Sequence, residues 1–273
     1  MTQDSLPDIF IVGLGLSGYT QVTKETEQVL TVANKIFYVH TEPYIKEYLL
    51  RFCKDVEDLY ALYVDHQHRM ETYDAMANRV MDAAQSGKPI VFALYGHPFC
   101  FVTPSKTILR EGPKRGLRVE MLPGISALDT LFIDLHLDPS DRGLVQYEAN
   151  YCLMYRPQLN PSVPCLIWQP GAVETRGYNP RRSKPERFHR LQAYLKEYYP
   201  ANHKICFATS ASNPLVDPEL LWTTVEEFPQ LGPQITGICT LYIPPSEKPT
   251  LVDPDFVRQI DDPDHVARLV EST

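Results

Sequence analysis

The 273-residue sequence lacks any run of apolar residues as long as the roughly 18 that a membrane-spanning helix needs. A signal peptide is also missing, since the opening segment MTQDSLPD is acidic and polar. The six cysteines are scattered singly, without a Cys-x-x-Cys pair, which disfavours both a zinc site and a disulfide framework. We therefore predict a cytoplasmic protein with reduced thiols, no metal ion and no membrane partner.

An excess of positive charge is absent as well. The chain has 26 Lys and Arg residues against 34 Asp and Glu residues, a formal net charge of −8. Because phosphate backbones bind basic surfaces, this balance predicts no nucleic-acid partner. Hydrophobic residues make up 44% and charged residues 22%, a composition typical of a folded chain with a large core.

The first half alternates short apolar runs with amphipathic segments, which predicts a parallel sheet covered by helices on both faces. Strands are expected at 9–12, 36–39, 90–94 and 119–122, and helices at 24–33, 69–86, from 103 and from 126. Thr23 is a candidate N-cap, and Ser126 with Asp129 forms a capping-box pattern. The helix over 69–86 is expected to bury one stripe: Met70, Tyr73, Ala77, Val80, Met81 and Ala84.

The second half is less regular. We predict strands at 144–147, 165–168, 205–208 and 235–243, a helix at 186–199, and a loop over 170–185, which is rich in Gly, Pro, Arg and Asn. The Pro-Gly turn near residue 123 is the expected domain boundary. This gives an N-terminal domain over 1–123, a C-terminal domain over 124–245, and an acidic tail over 246–273.

Three strands of the first half run into loops that carry Gly or Pro: GLGLSG, YGHP and LPGIS. In an open α/β sheet, ligands bind outside the carboxyl ends of the strands, so these loops are candidates for the walls of one cleft. Three ordinary tight turns are the alternative. His97 lies in the second loop, lacks partners at metal-ligand spacing, and is expected to form part of a pocket wall.

The first of these loops also matches the Gly13-x-Gly15-x-x-Gly18 pattern of dinucleotide-binding proteins, with Glu42 near the position of a ribose-binding acid. The pattern is short, and no other feature supports it. A nicotinamide-dependent oxidoreductase is therefore a disfavoured alternative.

A block of tyrosines surrounds an arginine at the start of the helix over 69–86. Arg69 and Tyr73 are four residues apart, hence neighbours on one helix face, and Tyr60 and Tyr63 precede them. A guanidinium beside a phenol is expected to lower the pKa of that phenol, which suits proton abstraction from a weak acid. The alternative is that Tyr73 belongs to the core stripe and Arg69 pairs with a carboxylate.

Taken together, the loops resemble those of the S-adenosylmethionine-dependent tetrapyrrole methylases over residues 9–245. VGLGLSG resembles the first-strand motif of that family, YGHPFCF its G-[DH]-P-x-x-F loop, and MLPGISALD its P-G-[IV]-[ST]-[AS] segment. A narrower resemblance, to the borosin peptide α-N-methyltransferases, is carried by LYALYVDHQHRMETY, YGHPFCFVTPS, LPGISALDTLFIDLHLDP, QYEA, LIWQPG and TLYIPP. Those enzymes methylate backbone amide nitrogens of a ribosomal precursor peptide.

The resemblance implies a two-domain α/β fold with a parallel sheet in the N-terminal domain, a mixed sheet in the C-terminal domain, and S-adenosylmethionine in the cleft between them. It implies that S-adenosylhomocysteine is the product and that the cofactor is lined by Leu16, Tyr95, His97, Cys100, Ser126, Ala127, Gln169 and Gly237. It also implies that methyl transfer occurs at Tyr60, Tyr63, Arg69 and Tyr73, within a homodimer.

Because only 28 residues follow Pro245, we expect a precursor peptide on a separate chain rather than a fused one. A neutral amide is a poor nucleophile, so a base is needed, and Tyr63 or Tyr73 as phenolate is the candidate, with Arg69 stabilising the charge. Two further alternatives remain. One is a tetrapyrrole C-methyltransferase, whose basic trough the stretch from Arg176 to Arg190 would supply. The other is a non-catalytic peptide-binding protein.

Overall fold

A computed structural model describes residues 6–64, 67–213 and 215–270 of the chain. Its strands form two five-stranded sheets. The strands are β1 Ile9–Gly13, β2 Lys35–Val39, β3 Val56–Asp58, β4 Ile90–Leu94, β5 Val119–Met121, β6 Val145–Glu148, β7 Cys165–Trp168, β8 Lys204–Thr209, β9 Glu219–Thr224 and β10 Thr240–Ile243. The helices are α1 Lys24–Thr31, α2 Tyr44–Leu49, α3 Arg69–Ser86, α4 Thr103–Glu111, α5 Ala127–Asp134, α6 Pro139–Arg142, α7 Ala149–Tyr155, α8 His189–Leu195, α9 Pro254–Ile260 and α10 Pro263–Ala267.

The first sheet is parallel throughout, in the order β3-β2-β4-β1-β5. Alternate residues of its central strands face opposite sides, as the pleat requires. Ile11 and Phe92 pack against α3 and α4, whereas Val12 and Val91 pack in a second cluster with α1 and α2. Burial on both faces explains why these strands are continuous apolar runs in the sequence.

The second sheet is mixed, in the order β6-β7-β10-β8-β9. Only β6 and β7 are parallel, and the other pairs are antiparallel. Helices α7 and α8 cover one face, and Leu131 of α5 packs on the other face against Leu166 and Cys206. The α/β class and the parallel-plus-mixed pair of sheets are thus confirmed. The domain boundary at residue 123 stays a prediction; β5 ends just before it and α5 begins just after it.

Three expectations about individual elements were wrong. The strand predicted over 235–243 is confined to β10, because residues 236–239 form a turn at the cavity described below. The helix predicted over 186–199 is shorter and begins with a 3-10 turn at Pro185–Phe188. In α3, Met70 is 43% exposed, and the buried stripe instead includes Thr72 and Met76. Met70 lies in the first turn, ahead of the part of α3 that packs on the sheet.

Within the described residues, no helix is long and apolar enough to cross a membrane.

Candidate functional site

The carboxyl ends of three strands of the first sheet meet at three glycines. A Cβ on Gly13 would lie 2.4 Å from the Gly96 carbonyl oxygen and 3.1 Å from Cα of Gly124. A Cβ on Gly124 would lie 2.9 Å from Cα of Gly13. The Gly96 amide also donates to the Gly15 carbonyl at 2.9 Å. The loops GLGLSG, YGHP and LPGIS therefore form one glycine junction (Gly13, Gly96 and Gly124), which answers the expectation of one cleft rather than three separate turns.

The dinucleotide pattern does not have the geometry that its name requires. The Leu16 and Ser17 amides, which would face a pyrophosphate, both donate to Oε1 of Gln21, at 2.8 and 3.1 Å. Gly18 packs against Tyr44 rather than at a helix–strand contact, and α1 starts only at Lys24, capped by Thr23. These loop amides are already satisfied, so the geometry does not favour a nicotinamide cofactor.

A cavity of about 280 Å³ lies beside the glycine junction, between the two sheets. The structure brings all eight predicted cofactor-binding residues to its wall: Leu16, Tyr95, His97, Cys100, Ser126, Ala127, Gln169 and Gly237. The first six come from loops after strands of the first sheet. Gln169 follows β7, and Gly237 lies in the turn before β10. We call this space the first cavity.

The first cavity is largely apolar and contains no Lys or Arg among the residues that line it. Its polar groups are fixed by local hydrogen bonds. Ser126 caps α5 in a complete capping box with Asp129, so the N-terminus of that helix faces the cavity wall. His97 Nδ1 accepts from the Phe99 amide at 3.1 Å, and Gln169 adopts a left-handed backbone with φ of 55°. An apolar space with a few oriented polar groups suits a small organic ligand.

Several lining residues escaped the sequence analysis. Phe101 and Trp168 contact each other across the first cavity, with ring centroids 5.4 Å apart. Thr209 and Ser210, at the end of β8, also line it. Ser210 donates to Asp134 at 2.6 Å and bonds to Thr130 at 2.7 Å, which links the β8 end to α5. A sequence signal existed for these two: small hydroxyl residues follow the apolar run over 205–208.

A second cavity, of about 470 Å³, adjoins the first. The two share Tyr95, Thr209, Ser210 and Ile238. The rest of the second cavity is lined by the carboxyl end of β2, by Tyr60 and by the β8–β9 connection: Val39, His40, Thr41, Glu42, Tyr60, Ala211, Ser212, Val216, Asp217 and Glu219. Glu42, which the sequence analysis placed near a ribose, lies here instead. Three carboxylates and no Lys or Arg line this space.

The predicted tyrosine block forms a cluster at the edge of the second cavity. The Tyr60 and Tyr63 ring centroids are 5.1 Å apart, and those of Tyr63 and Tyr73 are 6.3 Å apart. Tyr178, which the sequence analysis did not single out, completes the cluster. Its hydroxyl lies 3.2 Å from that of Tyr60, and its ring centroid lies 4.8 Å from that of Tyr63. Backbone pairing between residues 67–69 and 176–178 holds this loop in place.

The electrostatics of the cluster differ from the expectation. Burial raises the pKa of Tyr63 far above its usual value, with further increases from Tyr73, and the lowering by Arg69 is too small to offset them. Burial and the hydrogen bond with Tyr178 raise the pKa of Tyr60 to about 12. The predicted lowering of the phenol pKa was therefore wrong for both residues, because burial disfavours the phenolate more than one guanidinium favours it.

Arg69 has no carboxylate partner among the residues that the structure describes. Its nearest charged neighbour is Arg187, whose pKa is lowered by burial and by Arg69. Arg187 donates to the Val173 carbonyl and the Ser183 hydroxyl, both at 2.8 Å, and Arg190 pairs with Glu174 at 3.1 Å. None of the arginines from 176 to 190 lines either cavity. The alternative in which Arg69 is neutralised by an acid is thus not what the structure shows.

No group of three or more His, Cys, Asp or Glu side chains that could hold a metal ion occurs within 6–64, 67–213 and 215–270.

Comparison with known proteins gives consistent similarities. The chain is 33% identical over 264 residues to the methyltransferase/ribosomally synthesized cyclic peptide gymnopeptides precursor of Gymnopus fusipes, covering 95% of this chain and 62% of that protein. It is 32% identical over 266 residues to a methyltransferase/ribosomally synthesized type I borosin cyclic peptide precursor of Serendipita vermifera subsp. bescii, covering 96% and 64%. The chain thus spans somewhat under two thirds of the length of these relatives.

The fold is also that of a solved structure, the uroporphyrin-III C-methyltransferase of Thermus thermophilus complexed with S-adenosylhomocysteine. The TM-score is 0.56 at 14% identity, and the match covers 86% of this chain and 91% of the other. The family model for tetrapyrrole (corrin/porphyrin) methylases matches residues 8–213, which include every loop of the glycine junction. The chain therefore belongs to the tetrapyrrole (corrin/porphyrin) methylase family.

Proposed function

We propose that this protein is an S-adenosylmethionine-dependent methyltransferase that methylates backbone amide nitrogens of a peptide. The observation that carries the proposal is the single cavity that collects all eight candidate cofactor-binding residues from loops of both sheets. The adjoining cavity, which reaches the tyrosine cluster, supplies a place for a second substrate. The names of the relatives, which combine a methyltransferase with a cyclic-peptide precursor, support the peptide as that substrate.

The residues of the first cavity fit the proposed cofactor. An apolar wall suits an adenosyl group, and the N-terminus of α5 and the backbone near Gln169 and Gly237 supply oriented polar groups. A pyrophosphate, in contrast, would find no Lys, no Arg and no free amide at Leu16 or Ser17. When bound, S-adenosylmethionine supplies an electrophilic methyl group on a sulfonium.

The second cavity distinguishes the peptide from a tetrapyrrole. Uroporphyrin-type substrates carry several carboxylates, which need cationic partners. Glu42, Asp217 and Glu219 give this cavity the opposite charge, and the arginines of the 176–190 stretch lie elsewhere. A neutral or basic peptide is compatible with such a wall, so tetrapyrrole C-methylation is the less favoured function.

The chemistry needs a proton acceptor because the amide lone pair is delocalised into the carbonyl group. We assign this role to the Tyr63–Tyr73 pair, whose hydrogen bond shares a single negative charge between two hydroxyls. Arg69 is near enough to stabilise that charge and has no competing carboxylate. Burial keeps Tyr63 neutral in the resting state, so the pair becomes anionic only when it takes the amide proton. Tyr60 places the cluster at the rim of the second cavity.

The partners are proposed from the same features. β10 runs from Thr240, beside Trp168 of the first cavity, to Ile243, beside Cys165, so the following residues leave the sheet at the end away from the cavity. The Ser246 amide then bonds to the Pro161 carbonyl at 2.9 Å. This path supports a peptide supplied by a separate chain. A homodimer is supported by the exposed apolar face of α7, which includes Met154 and Tyr155.

Two measurements test the proposed function. Calorimetry is expected to show binding of S-adenosylhomocysteine and no binding of NAD, because the first cavity has no site for a pyrophosphate. A pool of N-acetylated, C-amidated peptides, incubated with protein and S-adenosylmethionine, is expected to gain methyl groups on backbone nitrogens in fragment spectra. Binding of NAD alone would overturn the cofactor, and a methyl group on uroporphyrinogen but on no peptide would overturn the substrate.

The separate-chain proposal has its own test. Intact-mass spectrometry after incubation with S-adenosylmethionine is expected to show no methylation within 246–273, since this segment leaves the sheet away from the cavity. Sedimentation equilibrium of the same sample is expected to give twice the mass of the 31.2 kDa chain. Methyl groups on the tail would restore a self-methylating architecture.

A further inference from the structure

His40 is the one histidine among the residues that line the second cavity. It follows β2 directly and is only 4% exposed. Its ring packs edge-on against Tyr95, with centroids 5.1 Å apart and an interplanar angle of 75°. Because Tyr95 also lines the first cavity, His40 lies next to the wall that the two cavities share.

The protonation state of His40 follows from one hydrogen bond. The Glu42 amide donates to His40 Nδ1 at 3.0 Å, so Nδ1 has to be the unprotonated nitrogen. Burial lowers the pKa of His40 to about 4, which makes the ring neutral at physiological pH. The hydrogen of the neutral ring is therefore on Nε2.

This Nε2–H group is a buried donor without an acceptor. Within the described part of the chain, no hydrogen-bond partner lies near Nε2, which is shielded from bulk solvent. Nδ1 is turned towards the backbone of Glu42, so the opposite edge of the ring, with Nε2, belongs to the side that lines the cavity. Buried polar groups in native proteins are almost always paired, and an exception in a cavity indicates a ligand.

The walls restrict what that ligand acceptor can be. Glu42, Asp217 and Glu219 line the same space and would repel a carboxylate or a phosphate. The acceptor is thus a neutral oxygen, and a peptide offers one at every residue as the backbone carbonyl. Cationic acceptors do not exist, and a tetrapyrrole would present carboxylates first.

Resting on the proposed function, we propose that His40 is a positioning residue whose Nε2–H donates to a backbone carbonyl oxygen of the peptide substrate in the second cavity. The hydrogen bond fixes the register of the peptide relative to Tyr60 and Tyr95. His40 itself takes no proton during the reaction. Its contribution is to peptide binding, and it leaves the cofactor cavity unchanged.

The test compares two variants that each imitate one ring nitrogen. His40→Asn keeps an acceptor for the Glu42 amide in the position of Nδ1 but has no donor in the position of Nε2. His40→Gln places an amide donor at the reach of Nε2. With the peptide that is methylated fastest in the pool, His40→Asn is expected to raise KM about two- to tenfold with little change in kcat, and His40→Gln to restore KM. Affinity for S-adenosylhomocysteine should stay at the wild-type value in both.

His203 provides a matched control, because its Nε2 is already paired with the Pro244 carbonyl at 2.9 Å. His203→Asn is expected to leave KM unchanged. In ¹⁵N-labelled wild-type protein, the His40 Nε2–H signal is expected to move when the peptide is added and the His203 signal to stay.

Two results would overturn the role of His40 while leaving the proposed function intact. One is a KM of His40→Asn equal to that of wild type. The other is a rise in KM that His40→Gln does not reverse and that comes with weaker S-adenosylhomocysteine binding, which would mark a purely structural residue. If wild-type protein binds S-adenosylhomocysteine but binds and methylates no peptide, the proposed function fails, and this inference fails with it.

Discussion

Tyr63→Phe and Tyr73→Phe are each expected to lower the rate of peptide methylation by about 10²–10⁴-fold, the usual loss when a proton acceptor is removed. Both substitutions keep the aromatic ring, so the ring packing among Tyr60, Tyr63 and Tyr73 survives. The loss of one hydroxyl costs about 0.5–1.5 kcal/mol of stability at most. The expected pattern is therefore a collapse of kcat with a near wild-type melting temperature and unchanged affinity for S-adenosylhomocysteine.

Two tyrosines serve as controls for this result. Tyr178→Phe removes the hydroxyl that bonds to Tyr60 but leaves the Tyr63–Tyr73 pair, so kcat should fall far less. Tyr194→Phe removes a buried hydroxyl that donates to the Pro157 carbonyl at 2.6 Å, inside the core of the second sheet. It should lower stability and leave kcat unchanged. Near wild-type rates in both Tyr63→Phe and Tyr73→Phe would show that the cluster is packing only.

Arg69→Ala belongs to the same series. Arg69 favours the phenolate of the pair, so its removal is expected to lower kcat as the phenylalanine substitutions do. The charge repulsion with Arg187 disappears in this variant, which raises the pKa of Arg187 towards its ordinary value. The notebook of charges around Arg69 is then simple, because no carboxylate partner is left unpaired among the described residues.

The central strands and the helix caps were predictable because their signals are local. β1 and β4 are buried on both faces, which leaves a continuous apolar run in the sequence. The Ser126 capping box is present as expected, and α3 has the predicted bounds. The edge strands β3 and β9 were not predicted. Each has one side without a neighbouring strand and a half-exposed, polar composition, so the apolar pattern is weak.

The site divides in the same way. Loops after parallel strands must meet at one edge of the sheet, so the three glycine loops were predictable from the sequence alone. Gln169 and Gly237 come from the other sheet, and only the family resemblance indicated them. Tyr178 joins the cluster through a loop far away along the chain, which no local pattern reveals. The sign of the Tyr63 pKa shift was missed because it depends on burial, a tertiary property.

The glycine junction gives the other large effect. Gly13→Ala is expected to lower the free energy of unfolding by about 1–3 kcal/mol, because the new methyl group would lie 2.4 Å from the Gly96 carbonyl oxygen. The contacts of Gly13 are backbone atoms of the YGHP and LPGIS loops and the ring of Pro98, so no flexible side chain can move aside. Relief requires the loops to separate, and these loops carry Tyr95, His97 and Ser126 of the first cavity. Chemical denaturation should report the lost stability.

The same variant tests whether the junction shapes the cofactor cavity. Affinity for S-adenosylhomocysteine, measured by calorimetry on folded protein, is expected to fall at least about tenfold, since a hydrogen-bonding group displaced by even one ångström loses its contact. Gly87→Ala is the matched control. An added Cβ there meets nothing within 4 Å, and its φ of −162° suits any residue, so it should be neutral or stabilise by up to about 1 kcal/mol. A Gly13→Ala protein that is destabilised but binds S-adenosylhomocysteine normally would show that the junction supports the fold without positioning the cavity wall. Weakened binding in Gly13→Ala alone would mean that close backbone packing at the strand ends is what places the cofactor loops.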